Sequence, residues 1–354
     1  MKRFLAMLLA SVLAVGIIAF ATNGEGRRTD GLYYEVTGIR PDAQIMTVDG
    51  EKVSAEEYLY WLSSQCDKLA AYYPGVDFNT QYTDSMTFGD FVKTDAQEMA
   101  KLYAIVRQWS EKYGVTLTDA DREEIAQQRA QYVSYYGSEE AYQNQLRLLG
   151  ISEESFNTIN EAAYYYADLA KLFCNEDGAQ RPSDETLIAY AADNGYCTAK
   201  TLYVRTSGLD EAALAEKRSQ LEAAAEQLRA AEDKDAAYLE LAASLGIETN
   251  GSALTFRASD VSDAAAEILS PLQSGEVSDI VEGSDVLYVF LMQEPDCTAL
   301  AQYYFKQLVS DAQTNVKTSR AYDRIDTASF YTGLQEARSA LATSLQGDGA
   351  NAAG

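Results

Sequence analysis

The side chains that could do chemistry in this chain are 54 carboxylates, 28 lysines and arginines, 25 tyrosines and four cysteines, and histidine is absent altogether. That absence excludes a Ser-His-Asp triad, a Cys-His pair, a His-based zinc or iron site and a histidine general base. Acid–base work would fall to Asp, Glu, Tyr, Lys or Cys. Paired carboxylates occur throughout, as chance dictates in so acidic a chain. The spacing Asp77-x-Asn79 lacks the glycine and terminal glutamate of a calcium loop. Neither a hydrolase nor a metal enzyme fits, and no cofactor is expected.

The formal net charge of −26, with a pI near 4.3, argues against nucleic acid and anionic lipid, because phosphate contacts need clustered Lys and Arg. It favours solubility and can attract basic segments of a partner.

The chain opens with Lys2-Arg3 and an apolar run from Phe4 to Phe20, then the small-x-small triplet Ala19-Phe20-Ala21. This predicts a signal peptide over residues 1–21, cut after Ala21, and so an extracytoplasmic location. The alternative is an uncleaved anchor, since the run lies near the lower limit for crossing a bilayer. Without a cysteine at that site a lipoprotein is not expected. Any membrane contact would be through this segment.

The elements that must position the remaining residues follow from periodicity. Residues 22–43 read as a linker. Ile45 to Val53 reads as a hairpin on Asp49-Gly50. Ser54 and Glu57 form a capping-box pattern for a helix with Tyr58, Leu62, Cys66, Leu69 and Tyr73 on one face. Residues 76–90 read as a loop. Four more helices are expected, broken at Gly114, Gly137 and Gly150 and ending near Phe173. The polar stretch 175–183 is the expected domain boundary. Residues 184–297 then alternate short helices with strands: an α+β module. In it, Val286 to Met292 reads as a buried central strand, preceded by a Gly275 turn. Helical periodicity returns over 298–335, where an apolar face must bury itself on something, most simply the first helical domain. Residues 336–354 read as a disordered tail.

Several of these segments resemble the SurA/PrsA-type extracytoplasmic foldases, whose inserted module is a parvulin-type (PpiC-type) peptidyl-prolyl isomerase. The resemblance covers roughly residues 44–320. It rests on Val48-Asp49-Gly50-Glu51-Lys52-Val53-Ser54 leading into helices, on Ala199 to Val204, and on Tyr238-Leu239-Glu240-Leu241-Ala242. Its most specific part is Leu272-x-x-Gly275-Glu276-Val277-Ser278-x-x-Val281. It implies an α+β fold: a SurA-N-like helical chaperone domain, an inserted parvulin-like α/β module and a C-terminal helix returning to the helical domain. It also implies a function, the binding of unfolded or nascent exported polypeptides.

The departures fall in the active site. The family's first-strand histidine falls on Thr201 and its last-strand histidine on Tyr288. The Met and Phe that line its proline pocket fall near Val261 and Ala265. Isomerisation needs no covalent chemistry, only stabilisation of a twisted amide against a barrier of about 18–20 kcal/mol. Thr201 and Tyr288 could still hydrogen-bond across adjacent strands, yet small or aliphatic residues replace the large proline-gripping ones. Isomerase activity is therefore expected to be weak or lost. The alternatives are an active isomerase with a His-free site and a scaffold for a fixed partner. Client binding is expected on exposed rings of the helical domain, with Tyr135, Tyr136, Tyr164, Tyr165 and Tyr166 as candidates. Three consecutive tyrosines cannot all face one core. The module's first and last strands are antiparallel neighbours in the family, which implies a Cys197–Cys297 disulfide. A Cys66–Cys174 bridge is the second expected pair, and the alternative is four reduced thiols packed as small hydrophobes.

Overall fold

The computed structural model describes residues 28–352, so the expected signal segment lies outside it. The described chain divides into two compact units. One takes the residues up to Lys171 together with those from Gln307 onward; the other is Leu172–Lys306.

The first unit begins where a linker was expected. Leu32–Thr37 is a helix, α1, with Leu32 and Tyr33 buried. The Tyr33 ring packs 6.0 Å from Phe330, and its hydroxyl donates to the Leu149 carbonyl at 2.6 Å. Two apolar side chains in one turn suffice to order a segment whose composition reads as linker. The hairpin follows as β1 (Gln44–Val48) and β2 (Glu51–Ser54). Asp49 and Gly50 have φ of 49° and 93°, the left-handed pair that a two-residue turn needs to match strand twist.

Ser54 caps α2 (Ala55–Tyr72), accepting from Glu57 N at 3.1 Å. Glu57 does not return the bond. It turns inward to Arg107 with two bonds of 2.8 and 3.1 Å. The expected loop holds a small hairpin, β3 (Gln81–Thr83) and β4 (Met86–Thr87). A full capping box of Thr87 and Asp90 then opens α3 (Phe88–Tyr113). A second box, Thr118 with Asp121, opens α4 (Asp119–Tyr136), and α5 (Glu139–Leu149) and α6 (Glu153–Cys174) follow.

At the end of α5, Gly150 has φ +81°, and a Cβ there would lie 2.6 Å from the Tyr33 ring. That ring is buried and tethered, so it cannot retreat. Gly150→Ala is expected to destabilise this unit by roughly 2–4 kcal/mol, combining backbone strain with overpacking. Denaturant melts of the variant check this; a melt unchanged from wild type would show that the ring yields.

The second unit contains α7 (Asp184–Asn194), β5 (Tyr196–Arg205), α8 (Glu211–Ala230), α9 (Lys234–Ser244), β6 (Leu254–Arg257), α10 (Asp263–Leu269), β7 (Val281–Glu282) and β8 (Val286–Met292). Its four-stranded sheet has the order β6-β5-β8-β7 and is antiparallel throughout. The run Val286–Met292 is an interior strand, which explains its near-continuous apolar character. One sheet face, with Leu202, Val204, Leu287, Val289 and Leu291, packs on Leu221, Leu228 and Tyr238 of α8 and α9. The other, with Ala199, Phe290 and Met292, packs on Ala265 and Leu269 of α10.

After the sheet, α11 (Cys297–Ala312) starts inside the second unit. Phe305 packs 5.3 Å from Phe173, and the Cys174 thiol donates to the Ala301 carbonyl at 3.6 Å. The first turns of the expected helical run thus meet the last turn of α6, whose end falls in this second unit, and also the module, where Tyr303 packs 4.6 Å from Tyr196 and donates to the Thr255 carbonyl at 3.0 Å. The return is made by an unexpected strand, β9 (Val316–Thr318), which extends the hairpin to a three-stranded sheet of order β2-β1-β9. Met46 opposes Thr318 and Val48 opposes Val316. The short α12 (Arg320–Asp323) and the long α13 (Thr327–Ala352) follow.

The expected disordered tail over 336–354 is overturned as far as Ala352, because α13 runs through it. Arg338 is the reason. Its guanidinium bonds both Asp67 carboxylate oxygens at 3.0 Å, Ser63 Oγ at 2.7 Å and the Leu148 carbonyl at 3.0 Å. One cation thus ties α13 to α2 and α5. Among the described residues no helix is long and apolar enough to cross a membrane.

Candidate functional site

The register of β5 on β8 decides what the sheet face of the second unit can do. Thr201 lies opposite Phe290, and Tyr288 lies opposite Tyr203. Thr201 and Tyr288 are therefore diagonal neighbours rather than a facing pair, a separation of roughly 7–8 Å between backbone positions. Among the described residues no hydrogen bond joins them. Phe290, opposite Thr201 and two residues from Tyr288 on the same strand, is buried, with the Tyr288 ring stacked on it at 5.7 Å and the Phe256 ring at 5.2 Å. Ala265 is fully buried in the same cluster, and Val261 packs against it.

Tyr288 also lies over the turn before β8: a Cβ on Gly283 would come within 2.8 Å of its ring. The structure thus places Val261, Ala265 and Tyr288 in one cluster and Thr201 on the same face beside it. The rings of Phe256, Phe290 and Tyr288 pack in this same cluster with Ala265 and Val261.

A cavity of about 770 Å³ does open in this unit, on the same sheet face and beside the same cluster. Ile188, Cys197, Ala266, Leu269, Leu272 and Met292 are among its walls, and none of the four candidate positions is.

Neither expected disulfide is present, because all four cysteines are free. Cys197 lies opposite Phe256 on β6, and its thiol points to the Phe256 carbonyl at 3.8 Å. Cys297 does not continue β8; it starts α11, where its thiol meets Asp184. The end of β8 does reach the start of β5, where Met292 pairs with Ala199, but the chain then leaves the sheet and carries Cys297 onto α11. Cys66 is buried beside Asp67 and Arg338, whereas Cys174 is bonded to Ala301, so each thiol has its own surroundings. Burial raises the pKa of all four, that of Cys197 to about 11. None is poised as a thiolate nucleophile. Among the described residues no cluster of His, Cys, Asp or Glu could hold a metal ion.

The helical unit presents a different surface. Tyr135, at the end of α4, is 81% exposed, with the Tyr136 ring edge-on at 5.1 Å and Tyr132 stacked on Tyr136 at 6.4 Å. Along α4 only Ile125 is buried. Tyr164, Tyr165 and Tyr166 are each half-buried, so none of the three is the bare ring that their run suggested. Tyr164 accepts a bond from Gln128 at 3.1 Å, which draws it onto α4.

The sequence reading missed the aromatic surface at the α2–α3 connection. Tyr72 is 76% exposed, Tyr73 57% and Tyr82 49%. Tyr73 had been placed on the inward face of α2. The helix ends one residue before it, and its own backbone (φ −125°, ψ 79°) turns it outward. No periodic signal could have revealed this surface, since it sits on a turn and a three-residue strand.

No protein-family model matches the sequence, and no curated protein does either. Among solved structures, the chain is similar to a pair of SurA-like chaperones from Campylobacter jejuni, described as the virulence factor PEB4 and the periplasmic protein Cj1289. That match has 11% identity and a TM-score of 0.21, over 78% of this chain and 99% of the other. It is also similar to the foldase PrsA of Streptococcus pneumoniae, with 15% identity and a TM-score of 0.23 over 83% of this chain and 94% of the other. A third is the peptidylprolyl isomerase PrsA of Bacillus cereus, with 15% identity and a TM-score of 0.26 over 73% and 99%. Identities and scores this low transfer no activity to the chain.

Proposed function

We propose that this chain is an exported, extracytoplasmic chaperone that holds unfolded or newly exported polypeptides, with its isomerase activity weak or lost. The observation that carries the reading is the packing of the Phe256, Phe290 and Tyr288 rings on the sheet face. At that face, by the resemblance of residues 44–320 to the foldases, a proline would have to enter. A twisted prolyl amide needs an open apolar slot and oriented donors. In support of the reading, the rings of Phe256, Phe290 and Tyr288 pack at that face, and Thr201 and Tyr288 are diagonal rather than facing, so they do not align as a donor pair. Holding a non-native chain makes no such demand. It needs exposed apolar area at low entropic cost, which the tyrosines of the helical unit supply.

The test is a paired assay on the purified chain: aggregation suppression with several unrelated unfolded clients, and turnover of a proline-containing peptide. Suppression across clients, with isomerisation close to the uncatalysed rate, is the expected result. Substantial turnover that is lost in Thr201→Ala or Tyr288→Phe would replace this reading with a His-free isomerase. Suppression confined to a single client would make the chain a dedicated partner protein.

A further inference from the structure

The connection between α2 and α3 carries a row of four aromatic rings. Tyr73 lies 5.9 Å from Phe88, Phe88 lies 5.2 Å from Tyr82, and Tyr82 lies 4.7 Å from Phe91. The row is built, not frayed. The buried ring of Phe78 packs 5.1 Å from Tyr331 of α13, and the Phe78 carbonyl accepts from Gly89 N at 2.8 Å. A Cβ at Gly89 would lie 3.0 Å from that carbonyl, a tight approach that holds the loop close to α3. The loop is thereby fastened to the helices while its tyrosines face outward.

The segment is acidic between two flanking lysines, Lys68, which lies near Asp95, and Lys93, which donates to the Tyr322 and Ile325 carbonyls. Residues 69–92 carry Asp77, Asp84 and Asp90 and no Lys or Arg. Asp77 is exposed and shares with Tyr73, Val76 and Phe88 the wall of a notch of about 260 Å³. Its Oδ1 accepts from Asn79 N at 2.9 Å, which sets the carboxylate's position in the turn. An aromatic face beside a carboxylate is the combination that recognises a cation on a hydrophobic stem. The ring quadrupole and the carboxylate both attract the charge, and the rings cover the methylenes. A segment bearing Glu or Asp in the same place would meet repulsion instead.

From this we propose that the Tyr73–Phe88–Tyr82–Phe91 row is a docking surface for extended, basic segments of non-native polypeptides, with an Arg or Lys side chain of the client seated in the notch beside Asp77. The proposal rests on the chaperone reading above and deepens it by naming the surface and the class of client segment. Affinity there is salt-dependent and selects Arg- or Lys-bearing apolar stretches over acidic ones of equal hydrophobicity.

The experiment uses the full chain and two fluorescently labelled peptides with the same Leu and Phe residues, one carrying Arg where the other carries Glu. Anisotropy titrations at low salt should show the Arg peptide binding about tenfold more tightly, with the difference shrinking as salt rises. Asp77→Asn should remove most of that preference. Tyr73→Ala with Tyr82→Ala should weaken binding of both peptides, and neither variant should change the melting profile, since all three side chains are exposed. Variants that melt like wild type and still bind the Arg peptide like wild type would overturn the proposal. If wild type suppresses client aggregation while the variants do so equally well, the chaperone reading stands and this surface is not where clients bind. If wild type neither binds peptide nor suppresses aggregation, both are overturned together.

Discussion

Arg107→Met is expected to cost the helical unit about 3–5 kcal/mol, the scale for stranding one partner of a buried ion pair. Glu57 is almost fully buried between α2 and α3. Its compensation is the Arg107 guanidinium, at 2.8 and 3.1 Å. The same guanidinium stands 3.8 Å from Glu51, so without it two carboxylates face each other. Burial raises the Glu57 pKa above its ordinary value of 4.5, Arg107 pulls it back, and Glu51 raises it further. The sign of the pH effect follows from the raised folded value. Above 4.5 the unfolded chain releases a proton that the folded chain still holds, so stability falls as pH rises through that window and is recovered below it. Removing Arg107 widens the window. The deficit of the variant should therefore be largest at neutral pH and shrink on acidification toward 4.5. Denaturant melts across pH measure this, and Glu57→Gln added to Arg107→Met should restore much of the loss. A deficit independent of pH, or no rescue by Glu57→Gln, would mean that packing of the arginine stem, not its charge, holds the unit.

Phe290→Ala should destabilise the second unit by about 3–5 kcal/mol, the range for deleting a buried aromatic ring. Phe290 packs against both Phe256 and Tyr288 and lies opposite Thr201. Its loss opens a cavity where the resemblance places a proline pocket, without supplying oriented donors. Unfolding should show two transitions, with only that of the module moved. At a temperature where the module is still folded, aggregation suppression should match wild type if clients are held by the helical unit. A variant that is folded yet fails to suppress aggregation would place client binding on the module's sheet face and sink that assignment.

Much of the framework was legible because it is local. Asp49-Gly50 specified a tight hairpin, and the dihedrals of that pair are those the turn type needs. Thr118 and Ser138, each followed by acidic residues, marked helix starts, and Gly114, Gly137 and Gly150 marked their ends in the left-handed conformation. The run Val286–Met292 read as an interior strand because only a strand covered on both faces can be apolar at nearly every position. Where the reading failed, the deciding contacts were distant. The linker became a helix because Tyr33 has a pocket 116 residues further on, under Leu149. The tail became a helix because Arg338 reaches acceptors on α2 and α5. β9 exists because β1 has a free edge to pair with, not because Val316–Thr318 has a strand pattern.

The candidate site divides in the same way. Composition settled that no histidine chemistry is available, and no fold can alter that. Spacing along the sequence offered Val261 and Ala265 as candidate positions for a proline pocket. Which rings pack beside them was a matter of register. Shifting β8 by one residue would have turned Phe290 to the other face, so the sequence could name Thr201 and Tyr288 without revealing that Phe290 would lie opposite Thr201 and stack with Tyr288. The cysteines show the same limit. Their number allowed bridges, but Cys197 lies opposite Phe256, Cys297 starts α11 instead of extending β8, and all four thiols are free. The exposed rings at the α2–α3 connection were visible only in three dimensions, because exposure there depends on where a helix stops and how a loop is fastened. Sequence fixes which side chains exist and the local conformations they prefer. Which of them meet, and which are left facing water, depends on pairings whose free energy is gained between residues far apart in the chain.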